Sequence, residues 1–201
     1  MDRCILLSTA YLPPPEYFAQ IFNADKVLIE IEENYIKQSY RNRCYILSAN
    51  GPQVLTVPVY LGSIHKTPVK DIRIDYSKRW QQVHLGALIS SYSSSPFFLY
   101  YFEIFEKVIQ SSHEYLLDLN MKLLEITLKI LNIDTGISYT SGFKPVKTAD
   151  NDFRYKINPK TNSDYLQKKY LQVFNSPEGF IPRLSIVDLI FNAGPDTRNY
   201  L

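Results

Sequence analysis

The chain has 201 residues, of which 45% are hydrophobic and 21% charged, and its formal net charge is +2. This length suits one domain with a sizeable core, and the composition excludes wholesale disorder. The small net charge gives no electrostatic argument for a nucleic-acid or membrane-surface partner. No stretch approaches the roughly 18 apolar residues that a membrane span needs, so we expect no membrane insertion.

The two cysteines, Cys4 and Cys44, each lie inside a short apolar run. They have neither the spacing of a zinc site nor the number of a disulfide framework. The start of the chain, Met-Asp-Arg-Cys, lacks the apolar core of a signal peptide. We therefore expect a reducing, cytoplasmic location, with no metal site and no cofactor.

Residues 1–76 are predicted to be mostly sheet. Short apolar or alternating runs predict strands at 3–8, 26–31, 44–48, 54–61 and 70–76, and Asn50-Gly51 predicts a tight turn between the third and the fourth. Three successive prolines after the first strand exclude a helix before the last of them. Pro15 can be a first helical residue, and a short helix is predicted over Glu16–Asn23. This strand–loop–helix–strand unit favours parallel neighbours. Parallel strands bind ligands at their carboxyl ends.

Helical periodicity takes over in residues 77–131 and predicts three consecutive amphipathic helices, the first with Ser77 as its N-cap. Residues 132–201 are predicted to be irregular apart from a strand over Tyr170–Phe174 and a final helix over Ser185–Phe191. The expected fold is a single α/β domain over 1–201. It has a small mixed sheet with the N-terminal strand–loop–helix–strand unit, packed against the cluster of three helices.

The segment from Glu32 to Arg43 concentrates polar side chains between two apolar strands. It leaves its strand at the same end as Tyr11, so we expect both to face one pocket. If the segment is extended, four polar side chains share one face: Lys37, Ser39, Arg41 and Arg43. Such a face suits a phosphate, because arginine binds phosphate bidentately. The alternative is that one arginine pairs with Glu32 or Glu33 and only holds the loop.

Two other side chains are candidates for catalysis. His84 lies one helical turn after Trp80, and histidine is the usual general base near neutral pH. A hydrogen-bonded structural histidine is the alternative.

Asp188 lies in an apolar helix, one turn before Asn192. A buried carboxylate needs a partner, and an ion pair with Arg41 or Arg43 is the structural alternative to catalysis.

Five stretches in order resemble the WbqC-like protein family: Tyr11-Leu12-Pro13, Arg41-Asn42-Arg43, Leu55-Thr56-Val57-Pro58-Val59, Trp80 with His84, and the run from Leu184 to Asn192. The chain departs from the family pattern at Ser8-Thr9-Ala10, where the family has His-Gln-Pro. The resemblance implies a context of O-antigen or other surface-polysaccharide biosynthesis.

On that resemblance we expect an enzyme that transfers an acyl or aminoacyl group to a nucleotide-linked amino sugar. Lys37, Arg41 and Arg43 would hold phosphates, Tyr11 and Tyr35 would line the sugar pocket, and His84 would be the general base. The other residues expected at the ligand are Ser39, Asn42, Trp80 and Asn192. The rival is a non-catalytic binding or scaffold protein, which the missing family histidine favours. An RNA-binding module is disfavoured by the low net charge.

Overall fold

The computed structural model describes residues 3–60, 66–143, 145, 151–174 and 179–201. In chain order, its elements are β1 (Cys4–Ser8), α1 (Pro15–Phe22), β2 (Lys26–Glu30), β3 (Arg43–Ser48), β4 (Gly51–Thr56), α2 (Trp80–Tyr92), α3 (Phe98–Gln110), α4 (Leu116–Ile130), β5 (Gly136–Tyr139) and α5 (Ile186–Ala193). The strands form two small sheets, and α2, α3 and α4 pack together beside them. The predicted α/β class is confirmed.

Three strands form a parallel sheet in the order β1-β2-β5. β1 and β2 pair from Cys4↔Lys26 to Ser8↔Glu30, and β5 pairs with the other side of β2. On the free side of β1, Leu6 exchanges backbone hydrogen bonds of 2.9 Å with Asn151 and Phe153. The carboxyl edge of this sheet is therefore assembled from the first and the last thirds of the chain.

The predicted strand–loop–helix–strand unit is confirmed. Pro14 is extended, with φ −70° and ψ 164°, and Pro15 is the first residue of α1, where its missing N–H costs nothing. Tyr17, Phe18 and Ile21 are buried, and the Tyr17 hydroxyl donates to the Ser8 carbonyl at 2.9 Å. This contact fixes the start of α1 against the end of β1.

A tight turn joins β3 and β4, as predicted, but it lies over Ala49-Asn50, one residue before the predicted Asn50-Gly51, and Gly51 begins β4 with φ +98°. The predicted strand over Lys70–Tyr76 is wrong. A 3-10 turn follows Pro68, over Val69–Asp71, because the Asp71 N–H bonds back to the Pro68 carbonyl. Ile72 and Ile74 are nevertheless buried, as their alternation predicts. The Ile72 and Ile74 backbones bond to the start of α4 instead of to a long strand.

The three central helices are confirmed, but the predicted cap of the first is wrong. α2 begins at Trp80 without a side-chain cap. The Ser77 N–H instead donates to Asp75 at 2.8 Å in the turn before the helix. Among the described residues, no helix is both long and apolar enough to cross a membrane.

In the C-terminal third of the chain, the predicted final helix is confirmed, a predicted strand is wrong, and one strand was not predicted. α5 begins after the cap Ser185 and ends at Gly194, whose φ is +54°. The predicted strand over Tyr170–Phe174 is absent, and the Gln172 side chain within it bonds both backbone groups of Ile181. β5 was not predicted, since its four residues carry little hydrophobic pattern.

Candidate functional site

Charged side chains gather in the interior at the carboxyl edge of the parallel sheet. Glu30, the last residue of β2, is 0% exposed. Its carboxylate accepts from Arg154 at 2.9 Å and from the Thr140 hydroxyl at 2.8 Å. Arg154, 1% exposed, also donates to Asp152 at 2.6 Å. Because each charge has an opposite partner, this network ties residues 152–154 to β2 without leaving a buried charge unpaired.

Arg41 is committed to a second buried ion pair. It is 2% exposed, and its Nε and Nη2 both donate to Glu33 Oε1, at 2.9 and 2.6 Å. Burial raises the pKa of Glu33, and Arg41 opposes that shift. The Arg41 and Arg154 guanidinium groups lie 5.7 and 5.8 Å from the centre of the Tyr155 ring. Arg41 thus forms the ion pair with Glu33 that was the alternative to phosphate binding. A phosphate would have to compete with Glu33 for the guanidinium group.

The rest of the polar segment does not form the extended face on which the phosphate prediction depended. Residues 37–41 are in turns, with Gln38 at φ +58°. Lys37 is exposed, whereas Ser39 is buried and donates to the Ile36 carbonyl at 2.7 Å. Arg43 is half-buried in β3. The ligand roles of these residues stay predictions.

The loop after β1 and the end of the polar segment lie together, and the pocket that both were expected to face stays a prediction. The Tyr11 N–H donates to the Tyr40 carbonyl at 2.8 Å. Asn42 is used structurally, since its side chain donates to the Val57 carbonyl at 2.8 Å. Tyr35 is half-buried, and burial raises the pKa of its hydroxyl to about 12. Tyr35 therefore remains a neutral hydrogen-bonding group at pH 7.

His84 is held between two partners. Its Nε2 lies 3.2 Å from the Thr56 carbonyl, and its Nδ1 lies 2.8 Å from the Tyr11 hydroxyl. A carbonyl only accepts, so the proton is on Nε2, and Nδ1 accepts from Tyr11. Burial lowers the pKa of His84 to about 4. With Trp80, whose ring centre is 5.1 Å away, His84 lines a cleft of about 370 Å³.

Both nitrogens of the neutral His84 ring are thus engaged, which is the arrangement of a structural histidine. A general base needs a free lone pair on the ring, so catalysis would require Tyr11 to release Nδ1. The catalytic role of His84 stays a prediction.

The carboxylate of Asp188 has two tyrosine partners instead of an arginine. It is 0% exposed and accepts from the Tyr92 hydroxyl at 2.7 Å and the Tyr170 hydroxyl at 2.6 Å. The predicted ion pair with Arg41 or Arg43 is wrong, because the two hydroxyls hold the carboxylate and Arg41 pairs with Glu33. Burial raises the pKa of Asp188. Asn192 donates to the Asp188 backbone carbonyl at 2.7 Å, so it stabilises α5 rather than the carboxylate.

A cavity of about 630 Å³ opens beside the first turn of α1. Glu16 lines it and is 6% exposed. Its Oε1 accepts from the Ser163 hydroxyl at 2.6 Å, and its Oε2 has no hydrogen-bond partner among the described residues. Burial raises the pKa of Glu16 more than Ser163 and Arg183 lower it. The other walls include Gln20, Tyr155, Asn162, Asp164 and Tyr165.

Comparison with known proteins places the chain in a family. The model of the WbqC-like protein family matches residues 9–170. The chain belongs to this family. An uncharacterised protein of Mycobacterium tuberculosis (strain ATCC 25618 / H37Rv), Rv1507c, is 26% identical over 230 residues, and the alignment covers 100% of this chain and 98% of the relative. No solved structure matches the chain significantly.

This WbqC-like protein uses the three residues that depart from the family pattern as part of its interior. Ser8, Thr9 and Ala10 are all buried. Asn120 of α4 donates to the Thr9 hydroxyl at 3.1 Å and to the Arg41 carbonyl at 2.8 Å. The loop after β1 is therefore fastened to α4 by a hydrogen bond.

Sequence reasoning missed the Glu16 cavity. Glu16 has the pattern of an ordinary first-turn acid, which a helix N-terminus favours, and its partner Ser163 is 147 residues away in a region predicted to be irregular. The available signal was the position of Glu16 just beyond the carboxyl end of β1.

A larger cavity, of about 720 Å³, lies between α4 and β5. It contains none of the residues that the sequence singled out, and three of its charged residues pair with one another: Lys122 and Lys129 lie 2.9 and 2.6 Å from Glu125. The Glu16 cavity is the better candidate, because it holds a buried carboxylate oxygen without a partner.

Proposed function

We propose that this WbqC-like protein is an enzyme of surface-polysaccharide biosynthesis. It transfers an acyl or aminoacyl group to a nucleotide-linked amino sugar, and the Glu16 cavity holds that sugar. A cytoplasmic location belongs to the same proposal, because nucleotide-linked sugars are substrates of that compartment in such pathways.

The observation that supports this proposal most is the position and lining of the Glu16 cavity. It lies beside the first turn of α1, which Tyr17 fastens to Ser8 at the carboxyl end of β1, and α/β proteins bind their ligands near that end of the strands. Its volume, about 630 Å³, is in the range of small-molecule sites. Tyrosine rings can stack on the faces of a sugar, while the amides of Gln20 and Asn162 can bond to hydroxyls.

The first experiment is ligand protection. We expect a panel of nucleotide-linked amino sugars to raise the melting temperature of the wild-type protein, because a ligand that binds the folded state stabilises it. Tyr165→Ala removes an aromatic wall of the Glu16 cavity and should abolish the protection. Tyr139→Ala removes the same side chain from the larger cavity and serves as the matched control.

Two results would count against the proposal. In the first, no sugar in the panel protects the wild-type protein at millimolar concentration. In the second, Tyr139→Ala abolishes the protection while Tyr165→Ala retains it. If protection is found, incubation with acyl thioesters or aminoacyl donors, followed by mass spectrometry of the sugar, tests the transfer itself.

A non-catalytic binding or scaffold role is the second candidate. It is favoured by one observation, which is that His84 and Arg41 both have internal partners. Under this alternative, a polysaccharide enzyme would co-purify with the protein, and a His84→Ala strain with a stably folded protein would retain its normal polysaccharide profile. A lost profile would support the enzyme instead.

A further inference from the structure

Glu16 differs from the buried carboxylates that form ion pairs, and from Asp188, whose two oxygens each accept from a tyrosine hydroxyl. Glu30 and Asp152 pair with Arg154, and Glu33 pairs with Arg41. Among the described residues, Glu16 forms no ion pair, and its direct partner is the neutral Ser163 hydroxyl. Arg183 lowers the pKa of Glu16 without forming an ion pair with it, and the effect of burial is larger. The fold therefore holds a charged Glu16 at a cost that a cation bound directly to the carboxylate would relieve.

The geometry of Glu16 leaves one oxygen available for such a cation. Ser163 holds Oε1 at 2.6 Å, while Oε2 is buried and has no partner within the described residues. The first turn of α1 fixes the backbone of Glu16, with Pro15 before it and the buried Tyr17 after it. The backbone of Glu16 and its Oε1 are therefore both fixed, and Oε2 is the carboxylate oxygen that a ligand can contact.

The other walls of the cavity indicate what kind of cation fits. Asp164 adds a second carboxylate, whereas Lys156 is the basic side chain of the lining. The rings of Tyr155 and Tyr165 can take the apolar face of a sugar, and an aromatic ring also attracts a cation. A small polyhydroxylated molecule with a protonated amine matches this combination better than an anion or an apolar ligand does.

We propose that the Glu16 cavity recognises the free amino group of an amino sugar, with Glu16 Oε2 accepting a hydrogen bond from the protonated amine. The inference deepens the proposed function and depends on it for its biological setting, because it names the group of the acceptor that the cavity selects.

The same contact would make Glu16 the base of the transfer. The carboxylate takes one proton from the bound ammonium, and the amine nitrogen then attacks the carbonyl carbon of an acyl thioester. The C–N bond forms as the C–S bond breaks, and the departing thiolate takes up the proton that Glu16 received. The attacking nitrogen releases a second proton to solvent, which leaves the neutral amide. Glu16 returns to its ionised form at the end of the cycle.

The test is calorimetric titration of the wild-type protein and Glu16→Gln with glucosamine and glucose, below the pKa of the glucosamine amine. We expect glucosamine to bind the wild-type protein about tenfold more tightly than glucose, the ratio that one charge-assisted hydrogen bond supplies. Glu16→Gln keeps the shape of the side chain and should reduce the ratio to within about twofold. Glu103→Gln removes an equal charge from the exposed face of α3, outside the cavity lining, and should retain the preference.

A measurement on the wild-type protein keeps the test decisive if Glu16→Gln fails to fold. Glucosamine should shift the carboxyl ¹³C resonance of Glu16, and an equal concentration of glucose should leave it unchanged. Equal shifts with both sugars, or none with either, overturn the inference.

A third ligand, UDP-N-acetylglucosamine, separates the two proposals, since its amine is already acylated. If it binds while glucosamine binds no better than glucose, the inference falls and the proposed function stands. If glucosamine is preferred through Glu16 but no nucleotide-linked sugar binds, the inference stands and the proposed function falls. If no sugar binds, both fall.

Discussion

Tyr92→Phe should destabilise the protein more than Tyr170→Phe, although each substitution removes one hydroxyl from the same carboxylate. The Tyr92 hydroxyl donates to Asp188 at 2.7 Å and accepts from the Leu47 N–H at 3.0 Å. The substitution retains the ring, which packs 5.5 Å from that of Phe191, and removes only the oxygen. It therefore leaves a buried carboxylate oxygen and a buried backbone N–H without their partner.

Each buried group that loses its partner costs about 1–3 kcal/mol, so Tyr92→Phe should cost about 2–6 kcal/mol. Tyr170→Phe removes the other hydroxyl from Asp188 and leaves one group without its partner, so it should cost about 1–3 kcal/mol. Tyr100 is 74% exposed, and Tyr100→Phe should change the free energy of unfolding by less than about 0.5 kcal/mol.

Urea denaturation of the three variants, followed by far-UV circular dichroism at constant pH, measures these differences. The m-value should stay at the wild-type value, so that the midpoint alone reports the change in stability. The reasoning is refuted if Tyr92→Phe costs less than about 0.5 kcal/mol, or if Tyr170→Phe costs clearly more than Tyr92→Phe.

Three further predictions concern other parts of the interior. Arg41→Met should cost about 3–5 kcal/mol in urea denaturation, because it leaves Glu33 charged and buried, and the double variant Arg41→Met/Glu33→Leu should recover much of that loss. The His84 pKa of about 4 lies below its ordinary value, so the neutral ring contributes stability that is complete above about pH 6.5 and lost toward pH 4. NMR titration should find His84 neutral at pH 5, with the proton on Nε2, and a pKa near 6.5 would contradict this. Gly194→Ala should lower the melting temperature, since its φ is +54° and a Cβ would lie 2.5 Å from the Phe97 ring, whereas Gly86→Ala has open space within α2 and should raise it slightly.

The sequence predicted elements whose signals are local. Pro15 sets the start of α1, Asn50-Gly51 places the β3–β4 turn to within one residue, and the apolar stripes of α2, α3 and α4 each fit within about 15 residues. The strand predicted at Lys70–Tyr76 shows the limit of such patterns. Alternation correctly indicated which side chains are buried, but it did not reveal that the start of α4 would supply their neighbours.

The candidate site was less predictable because its partners are far apart in the chain. Asp188 was expected to need a partner, and it has two, but nothing local distinguished Tyr92 and Tyr170 from any other tyrosine among the 16 in the chain. Glu16 and Ser163 each have an ordinary local pattern. Only their contact at 2.6 Å, beside a cavity, gives them chemical interest.

The parallel sheet also cannot be completed early in the synthesis of the chain. Glu30 has to wait for Arg154, which follows it by 124 residues. At the rate of ribosomal synthesis, that interval is on the order of ten seconds. The edge of β2 stays open until β5 is made, the edge of β1 stays open until residues 151–153 are made, and the Glu30 carboxylate lacks its arginine until residue 154. A nascent chain that has emerged only through α4 therefore presents unpaired strands, and it should be the form of the protein that most needs a chaperone.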